Sequence, residues 1–284
     1  MTCASLSKHY AVIGNPIEHS RSPFIHELFA QQTGQALRYD KIKAPLDDFP
    51  GVVAAFFAEG GCGLNVTVPF KEAAFVLAQA HLSARATLAG AVNTLWMEQG
   101  QLHGCNTDGL GLLHDLERLG HAPANKKILL VGAGGAARGV VFPLLDGGCA
   151  QLHIVNRTAQ RAHQLHQHVI SHMPPLASRL SAGGLADAAG SWDIVINATS
   201  SSLGQTPPDL PAGLYGPQAL AYDMVYGQQP TPFMQQAEKQ GAHDTADGLG
   251  MLVGQAAASF AIWHGVTPNV EPVLHALRQH LRSA

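Results

Sequence analysis

Ile128-Leu129-Leu130-Val131-Gly132-Ala133-Gly134-Gly135-Ala136-Ala137 is an apolar run that breaks into glycines and resumes with small residues. Branched apolar residues over so short a span suit a buried strand. The glycines behind them suit a tight corner, so the stretch predicts a strand that enters a helix through a nucleotide-binding turn. Gly132, Gly134 and Gly135 let the backbone turn and come close to a pyrophosphate, and Ala133 and Ala136 belong to the same set of cofactor positions. The helix that follows offers unpaired N–H groups and the positive end of its dipole. Ala137 stands where the G-x-G-x-x-G pattern has its third glycine and still allows close helix packing. The alternative is that the glycines only permit a tight strand-helix corner.

Beyond this turn, residues 151–155, 193–198 and 221–225 read as further strands with helices between them, the pattern of a doubly wound parallel sheet. The stretch from Pro207-Pro208 to Pro217 reads as a proline-rich loop. After the strand at 151–155 an NAD site usually carries Asp or Glu for the ribose 2′-hydroxyl, whereas this chain has Asn156-Arg157-Thr158. Arg157 and Arg161, four apart where a helix is expected to begin, suit a 2′-phosphate, with Asn156 and Thr158 as uncharged donors; NADP(H) is therefore the expected cofactor. The competing reading is a solvated helix face.

Upstream, strands are expected at 10–14, 37–42 and 64–68. A helix over 23–33 is capped by Ser22, another covers 46–59 and ends at Gly60-Gly61, and a third starts near Lys71. Segments 91–98 and 101–104 flank Gln99-Gly100 as a hairpin, and a helix covers 110–119. Helices over 250–264 and 270–282 are too apolar to stand alone. The resulting expectation is an α/β protein of two domains with a cleft between them. Residues 1–108, completed by 249–284, form a substrate-binding and catalytic domain, and 109–248 form a Rossmann-type NADP-binding domain.

With 284 residues, 46% hydrophobic and 13% charged, the chain can bury a large core. A net charge of −3 gives no basic footprint for nucleic acid or anionic lipid. The apolar stretch 52–58 is too short to span a bilayer, and the first residues lack a signal-like apolar run, so a cytoplasmic protein with a small-molecule partner is expected. Cys3, Cys62, Cys105 and Cys149 form no C-x-x-C pair. His163, His166, His168 and His172 fall on one expected helix, where a solvated face is favoured over a metal site because co-ligands are lacking nearby. No metal is expected.

Asn65-Val66-Thr67-Val68-Pro69-Phe70-Lys71 and Gly104-Cys105-Asn106-Thr107-Asp108 carry the acid/base groups. An ammonium at a helix start opposes the dipole, a misfit that function explains better than an idle surface lysine. Asp108, read alone, suits an N-cap. A carboxylate within about 4–6 Å would keep Lys71 charged and oriented. A charged lysine is an acid, able to protonate the alkoxide that forms when a ketone accepts a hydride. Alcohol oxidation needs neutral Lys71, so its rate is expected to rise toward alkaline pH.

With these motifs stand Gly14-Asn15-Pro16-Ile17, His19-Ser20-Arg21-Ser22-Pro23, Gly90-Ala91-Val92-Asn93-Thr94, Asn197-Ala198-Thr199, Asp223-Met224-Val225-Tyr226 and the run from Asp247-Gly248 to Gln255. In this order, and over nearly the whole chain, they resemble the shikimate dehydrogenase family, whose NADPH-dependent members reduce 3-dehydroshikimate. The resemblance implies that Ser20 and Ser22 bind the substrate carboxylate, and that Thr67, Lys71, Asn93, Asp108 and Gln255 hold the ring oxygens. It also implies that Met224, Tyr226 and Gly248 line the nicotinamide pocket and its border with substrate, with Thr199 near the cofactor. Capping, hairpin, core and turn roles are the plainer readings of these residues. Ala84 departs from relatives that carry glutamate there. A quinate/shikimate dehydrogenase using NAD and a non-catalytic NADP-binding sensor are the competing functions, and a monomer or homodimer is expected.

Overall fold

The computed structural model describes residues 7–199, 201–204 and 206–283. The chain forms two compact units, one holding the chain up to Thr107 together with Val253–Gln279, the other holding Asp108–Leu252 and the chain from His280 onward.

The first unit contains β1 (Lys8–Gly14), α1 (Ser22–Thr33), β2 (Leu37–Lys43), α2 (Phe49–Ala58), β3 (Gly63–Val66), α3 (Lys71–Leu77), α4 (Ala84–Ala89), β4 (Thr94–Glu98) and β5 (Gln101–Cys105). Its sheet has the order β2-β1-β3-β4-β5. The first three strands run parallel and β4 is antiparallel to both neighbours. Gln99 and Gly100, with φ of 51° and 77°, make the two-residue turn whose twist suits a β4–β5 hairpin. One sheet face packs Ala11, Ile13, Leu64 and Val66 on Phe49, Val53 and Phe56 of α2.

The second unit begins with α5 (Asp108–Arg118) and continues through β6 (Lys127–Val131), α6 (Gly135–Asp146), β7 (Gln151–Val155), α7 (Ala159–His172), β8 (Leu180–Gly183), β9 (Trp192–Asn197), β10 (Tyr215–Asp223), α8 (Pro232–Lys239) and β11 (Asp244–Asp247). The six strands are all parallel, in the order β11-β10-β9-β6-β7-β8. That is the doubly wound dinucleotide-binding order, with its reversal between β6 and β9. Two helices complete the chain, α9 (Leu249–His264) and α10 (Val270–Ser283). In the first unit, α9 lies on the sheet face opposite α2, with Phe260 at 5.7 Å from Phe29 of α1 and Trp263 at 4.8 Å from Tyr10 between ring centroids.

Several expectations need correction. Ser22 is the first residue of α1 and not its cap; Arg21 holds the cap position, with no side-chain cap bond. Helix α2 starts at Phe49, because Pro50 fixes the first turn there. Strands β8 and β11 carry no apolar run; Leu-Ser-Ala-Gly and Asp-Thr-Ala-Asp take strand form by pairing at the sheet edges. Pro217 falls inside β10, not in a loop, where the register with β9 shifts between Tyr215 and Leu220 and the missing N–H breaks no ladder bond. Cys3 lies outside the described residues. Of the histidines on α7, His166 bonds the Leu180 carbonyl at 3.3 Å and His172 the His168 carbonyl at 2.9 Å.

Candidate active site

In the first unit, β1, β3 and β5 end and β4 begins along one edge of the sheet, and the polar motifs sit on that edge. Thr67, just beyond β3, donates its N–H to the Ile13 carbonyl at 3.0 Å and accepts the Phe70 N–H at 3.0 Å. This turn delivers Lys71 as the first residue of α3. Phe70 is buried and stacks on Phe49 at 4.7 Å, and the Lys71 carbonyl accepts the Val92 N–H at 2.9 Å. Lys71 thus has a backbone pinned to the core beneath it and a half-buried side chain. Ser20 donates its hydroxyl to Ser22 at 3.2 Å and accepts the Ser22 N–H at 3.3 Å, which holds the two hydroxyls together at the start of α1.

Asn93, immediately before β4, is buried and almost entirely engaged. Its Oδ1 accepts the Thr107 N–H at 2.9 Å and the Thr94 hydroxyl at 2.8 Å. Its Nδ2 donates to the Thr107 hydroxyl at 2.9 Å and to Gln255 Oε1 at 3.3 Å. Asn106 anchors the same corner by donating to the Ala91 carbonyl at 3.0 Å. Tyr39 donates to Asn65 Oδ1 at 2.7 Å. Burial pushes the Tyr39 phenol well up, so its hydroxyl keeps its proton and remains a donor. The Tyr39 ring stacks on His26 at 4.3 Å. Burial, helped by the nearby His264, pushes His26 down to about 3, and burial pushes His264 down to about 4; both rings are neutral near pH 7.

Asp108 opens the second unit. It is buried and is the first residue of α5, one peptide bond after Thr107. The other functional positions of this unit follow the carboxyl ends of its strands, the edge where open α/β sheets bind ligands. Gly132 follows β6 with φ of +121°, and a Cβ there would lie 3.2 Å from the Ala198 carbonyl carbon and oxygen and from Thr199 Cγ2, so both conformation and space require glycine. Gly134 is exposed, caps α6 without a side-chain bond, and faces open space where a Cβ would stand. After β7, Asn156 donates to the Thr158 carbonyl at 2.9 Å, and Thr158 holds the cap position of α7. Arg161 is therefore on the helix and Arg157 on the turn before it, so the pair does not share a helix face. Both arginines are exposed, and no salt bridge to either occurs among the described residues.

Asn197 and Asp223 explain two of the remaining motifs. Asn197 Oδ1 accepts the Thr199 hydroxyl at 2.7 Å and N–H at 3.1 Å, while its carbonyl accepts the Met224 N–H at 2.9 Å. Asp223, fully buried, accepts Asn197 Nδ2 at 3.1 Å, the Val225 N–H at 3.1 Å and the Thr231 hydroxyl at 2.6 Å. These bonds shape the turn that carries Met224 and Tyr226. Gly248 donates its N–H to the Val225 carbonyl at 3.2 Å, and a Cβ there would collide with the Met224 carbonyl.

Ser20, Ser22, Thr67, Lys71, Asn93 and Gln255 therefore belong to the first unit, and Asp108, Thr199, Met224, Tyr226, Gly248 and the glycine and arginine positions to the second. Thr107, Asn65, Thr94, Tyr39 and Ser259 were not assigned from the sequence, although the structure ties them to this set. Thr107 carried a signal through its place between Asn106 and Asp108, and Ser259 through its spacing of four from Gln255. Tyr39 carried none. No helix among the described residues is long and apolar enough to cross a membrane, and no group of three or more His, Cys, Asp or Glu side chains among them is arranged to hold a metal ion.

A glycine turn without a capping side chain suits phosphates. Two exposed guanidinium groups beyond β7, with no carboxylate in Asn156-Arg157-Thr158, suit the doubly charged 2′-phosphate better than a bare ribose. With Lys71 and the buried amides of the first unit, this fold defines the class as a dinucleotide-dependent α/β oxidoreductase. The family pattern described as the shikimate dehydrogenase substrate binding domain matches residues 12–95, that of shikimate/quinate 5-dehydrogenase matches 116–204, and that of the shikimate 5'-dehydrogenase C-terminal domain matches 248–278. A shikimate dehydrogenase (NADP(+)) of Bordetella petrii is 60% identical over 99% of each chain. Among solved structures, an Ael1 enzyme from Pseudomonas putida is 46% identical with a TM-score of 0.85, covering 95% of this chain and 98% of that one. Shikimate 5-dehydrogenase from Thermus thermophilus, in complex with NADP(H) and shikimate, is 32% identical with a TM-score of 0.84, covering 96% and 100%. The chain belongs to the shikimate dehydrogenase family.

Proposed function

We propose that this protein reduces 3-dehydroshikimate to shikimate with NADPH, and runs the reverse oxidation with NADP+. The observation that carries this reading is the 60% identity, across 99% of both chains, to a shikimate dehydrogenase (NADP(+)).

In this reading bound NADPH supplies the hydride, and the chain's own groups do the rest. The Ser20 and Ser22 hydroxyls take the carboxylate at the start of α1. Thr67, Asn93 and Gln255 bond the ring hydroxyls, each being able to donate or accept. Lys71 gives its proton to the oxygen of the carbon being reduced, then regains one from water. A positive charge beside that oxygen also stabilises the alkoxide character that builds up during transfer. Asp108 serves as the acid/base partner of Lys71. Gly132, Ala133, Gly134, Gly135 and Ala136 cradle the pyrophosphate. Asn156, Arg157, Thr158 and Arg161 bind the 2′-phosphate, and Thr199, Met224, Tyr226 and Gly248 border the nicotinamide.

Absorbance at the nicotinamide band, followed with shikimate or quinate and with NADP or NAD, tests substrate, reaction and cofactor together. Turnover is expected to be fastest with shikimate and NADP. A preference for quinate with NAD, or no turnover of shikimate, would overturn the reading.

A further inference from the structure

Ser259 lies on α9 one turn beyond Gln255 and is fully buried. Its hydroxyl is within hydrogen-bond distance of side chains from three other parts of the first unit: Thr94 Oγ1 at 2.8 Å, Asn65 Nδ2 at 3.0 Å and Thr107 Oγ1 at 3.1 Å. The Gln255 carbonyl, on its own helix, is at 3.1 Å. A hydroxyl has one proton and two lone pairs, so the direction of each bond follows from a proton count.

The Thr94 hydroxyl spends its proton on Asn93 Oδ1 at 2.8 Å. The contact between Thr94 and Ser259 is then donated by Ser259, whose single proton is shared between Thr94 Oγ1 and the Gln255 carbonyl. Ser259 in turn accepts from Asn65 Nδ2 and from the Thr107 hydroxyl, and Thr107 accepts from Asn93 Nδ2 at 2.9 Å. The result is a closed ring, Ser259 to Thr94 to Asn93 to Thr107 and back to Ser259. Tyr39 feeds it through Asn65. Every bond in the ring runs the same way round, in agreement with the amide orientation that the Thr107 N–H sets by donating to Asn93 Oδ1. The contact of Asn93 Nδ2 with Gln255 Oε1, at 3.3 Å, is longer than that with the Thr107 hydroxyl, at 2.9 Å, and is the bond that a ligand hydroxyl would exchange with.

We propose that Ser259 is a positioning residue for substrate: without touching the ligand, it closes the ring that holds the Asn93 side chain and sets the direction of the Thr107 hydroxyl, and Tyr39 supports it through Asn65. This inference rests on the reading of the protein as a shikimate dehydrogenase. Removing the Ser259 hydroxyl leaves Thr107 free to turn toward Asn93 Oδ1, at 3.2 Å, or Gln255 Oε1, at 3.5 Å. Either turn competes with the orientation that the substrate needs.

The test uses the full chain, with Ser259→Ala and Tyr39→Phe compared with wild type for steady-state kinetics and for the thermal shift produced by shikimate alone. Each replacement keeps the packing and deletes one hydroxyl. The loss of one neutral hydrogen bond predicts that KM for shikimate rises roughly three- to tenfold in Ser259→Ala, and less in Tyr39→Phe. The shikimate-induced thermal shift should shrink in parallel, while KM for NADP stays at the wild-type value. An unchanged KM for shikimate, or an equal rise in KM for both substrates, would overturn the proposal. If Ser259→Ala does not fold, the same readings on Tyr39→Phe decide the matter. Failure of the wild type to turn over shikimate would remove the functional reading and this inference with it; normal wild-type turnover with unaltered variants would remove the inference alone.

Discussion

Asp115 is the carboxylate on which the packing of α5 in the second unit turns. It is 1% exposed, yet it accepts the Tyr222 hydroxyl at 2.7 Å and Arg118 at 2.8 Å from both Nε and a terminal nitrogen. Tyr222 is fully buried on β10, and burial, reinforced by Asp115, holds its phenol well above its ordinary value, so it serves as a donor. Asp115→Ala would strand that hydroxyl. A hydrogen bond to a charged partner contributes about 1.5–3 kcal/mol. Arg118 is one-third exposed and regains water when released, so its share is below about 1 kcal/mol. The sum predicts a loss of about 1.5–4 kcal/mol, part of it offset because the cost of keeping a carboxylate buried also disappears. Tyr222→Phe keeps the ring and removes the hydroxyl. In Asp115→Ala/Tyr222→Phe, the second change should cost far less than it does alone, with a coupling of about 1.5–3 kcal/mol. Urea unfolding of the four proteins, followed by far-UV circular dichroism, measures each term. A loss below about 1 kcal/mol for Asp115→Ala, or additive single losses, would refute the account of this cluster.

Lys71→Ala should lower kcat by about 10²–10⁴ with an unaltered circular dichroism spectrum; unchanged turnover would remove Lys71 as the proton donor. Arg157→Asp should raise KM for NADP tenfold or more and KM for NAD much less, each lost charge-assisted bond contributing about 1.5–3 kcal/mol. Equal weakening would show that the arginine does not read the phosphate. His26 has a folded pKa of about 3, below the roughly 6.5 of an unfolded chain. The unfolded state therefore binds its proton first, and the stabilisation, complete above about pH 6.5, is lost as pH falls toward the folded value. His26→Leu should flatten the fall of the urea midpoint between pH 7 and 4.5, leaving the smaller contribution of His264; identical slopes in variant and wild type would exclude His26 as the source.

Local pattern made the second unit legible. The apolar run of β6 followed by Gly132-Ala133-Gly134 needs only its own residues to signal a strand, a tight turn and a helix start. The absence of a carboxylate after β7 is likewise visible in three consecutive residues. Edge strands β8 and β11 escaped notice because their residues are short of apolar side chains, and pairing with a neighbour makes them strands. That Thr158 caps α7, which leaves Arg157 on the turn and Arg161 on the helix, is a boundary the sequence does not specify.

Lys71 was noticed because it breaks a local rule and Asp108 because it stands in a polar motif near a turn, whereas Ser20 and Ser22 were assigned only through the resemblance to the family. The surroundings of Asn93 could not be read that way. Asn65 and Ser259 are 194 residues apart, and Thr107 and Ser259 152 apart. Their hydroxyl and amide groups meet only because α9 packs on the sheet of the first unit. Residue type and spacing along the chain give the strands, the turns and the chemical groups on offer. Which donor meets which acceptor in a buried ring depends on how distant elements pack, since a hydrogen bond depends on tenths of an ångström that no stretch of neighbouring residues specifies.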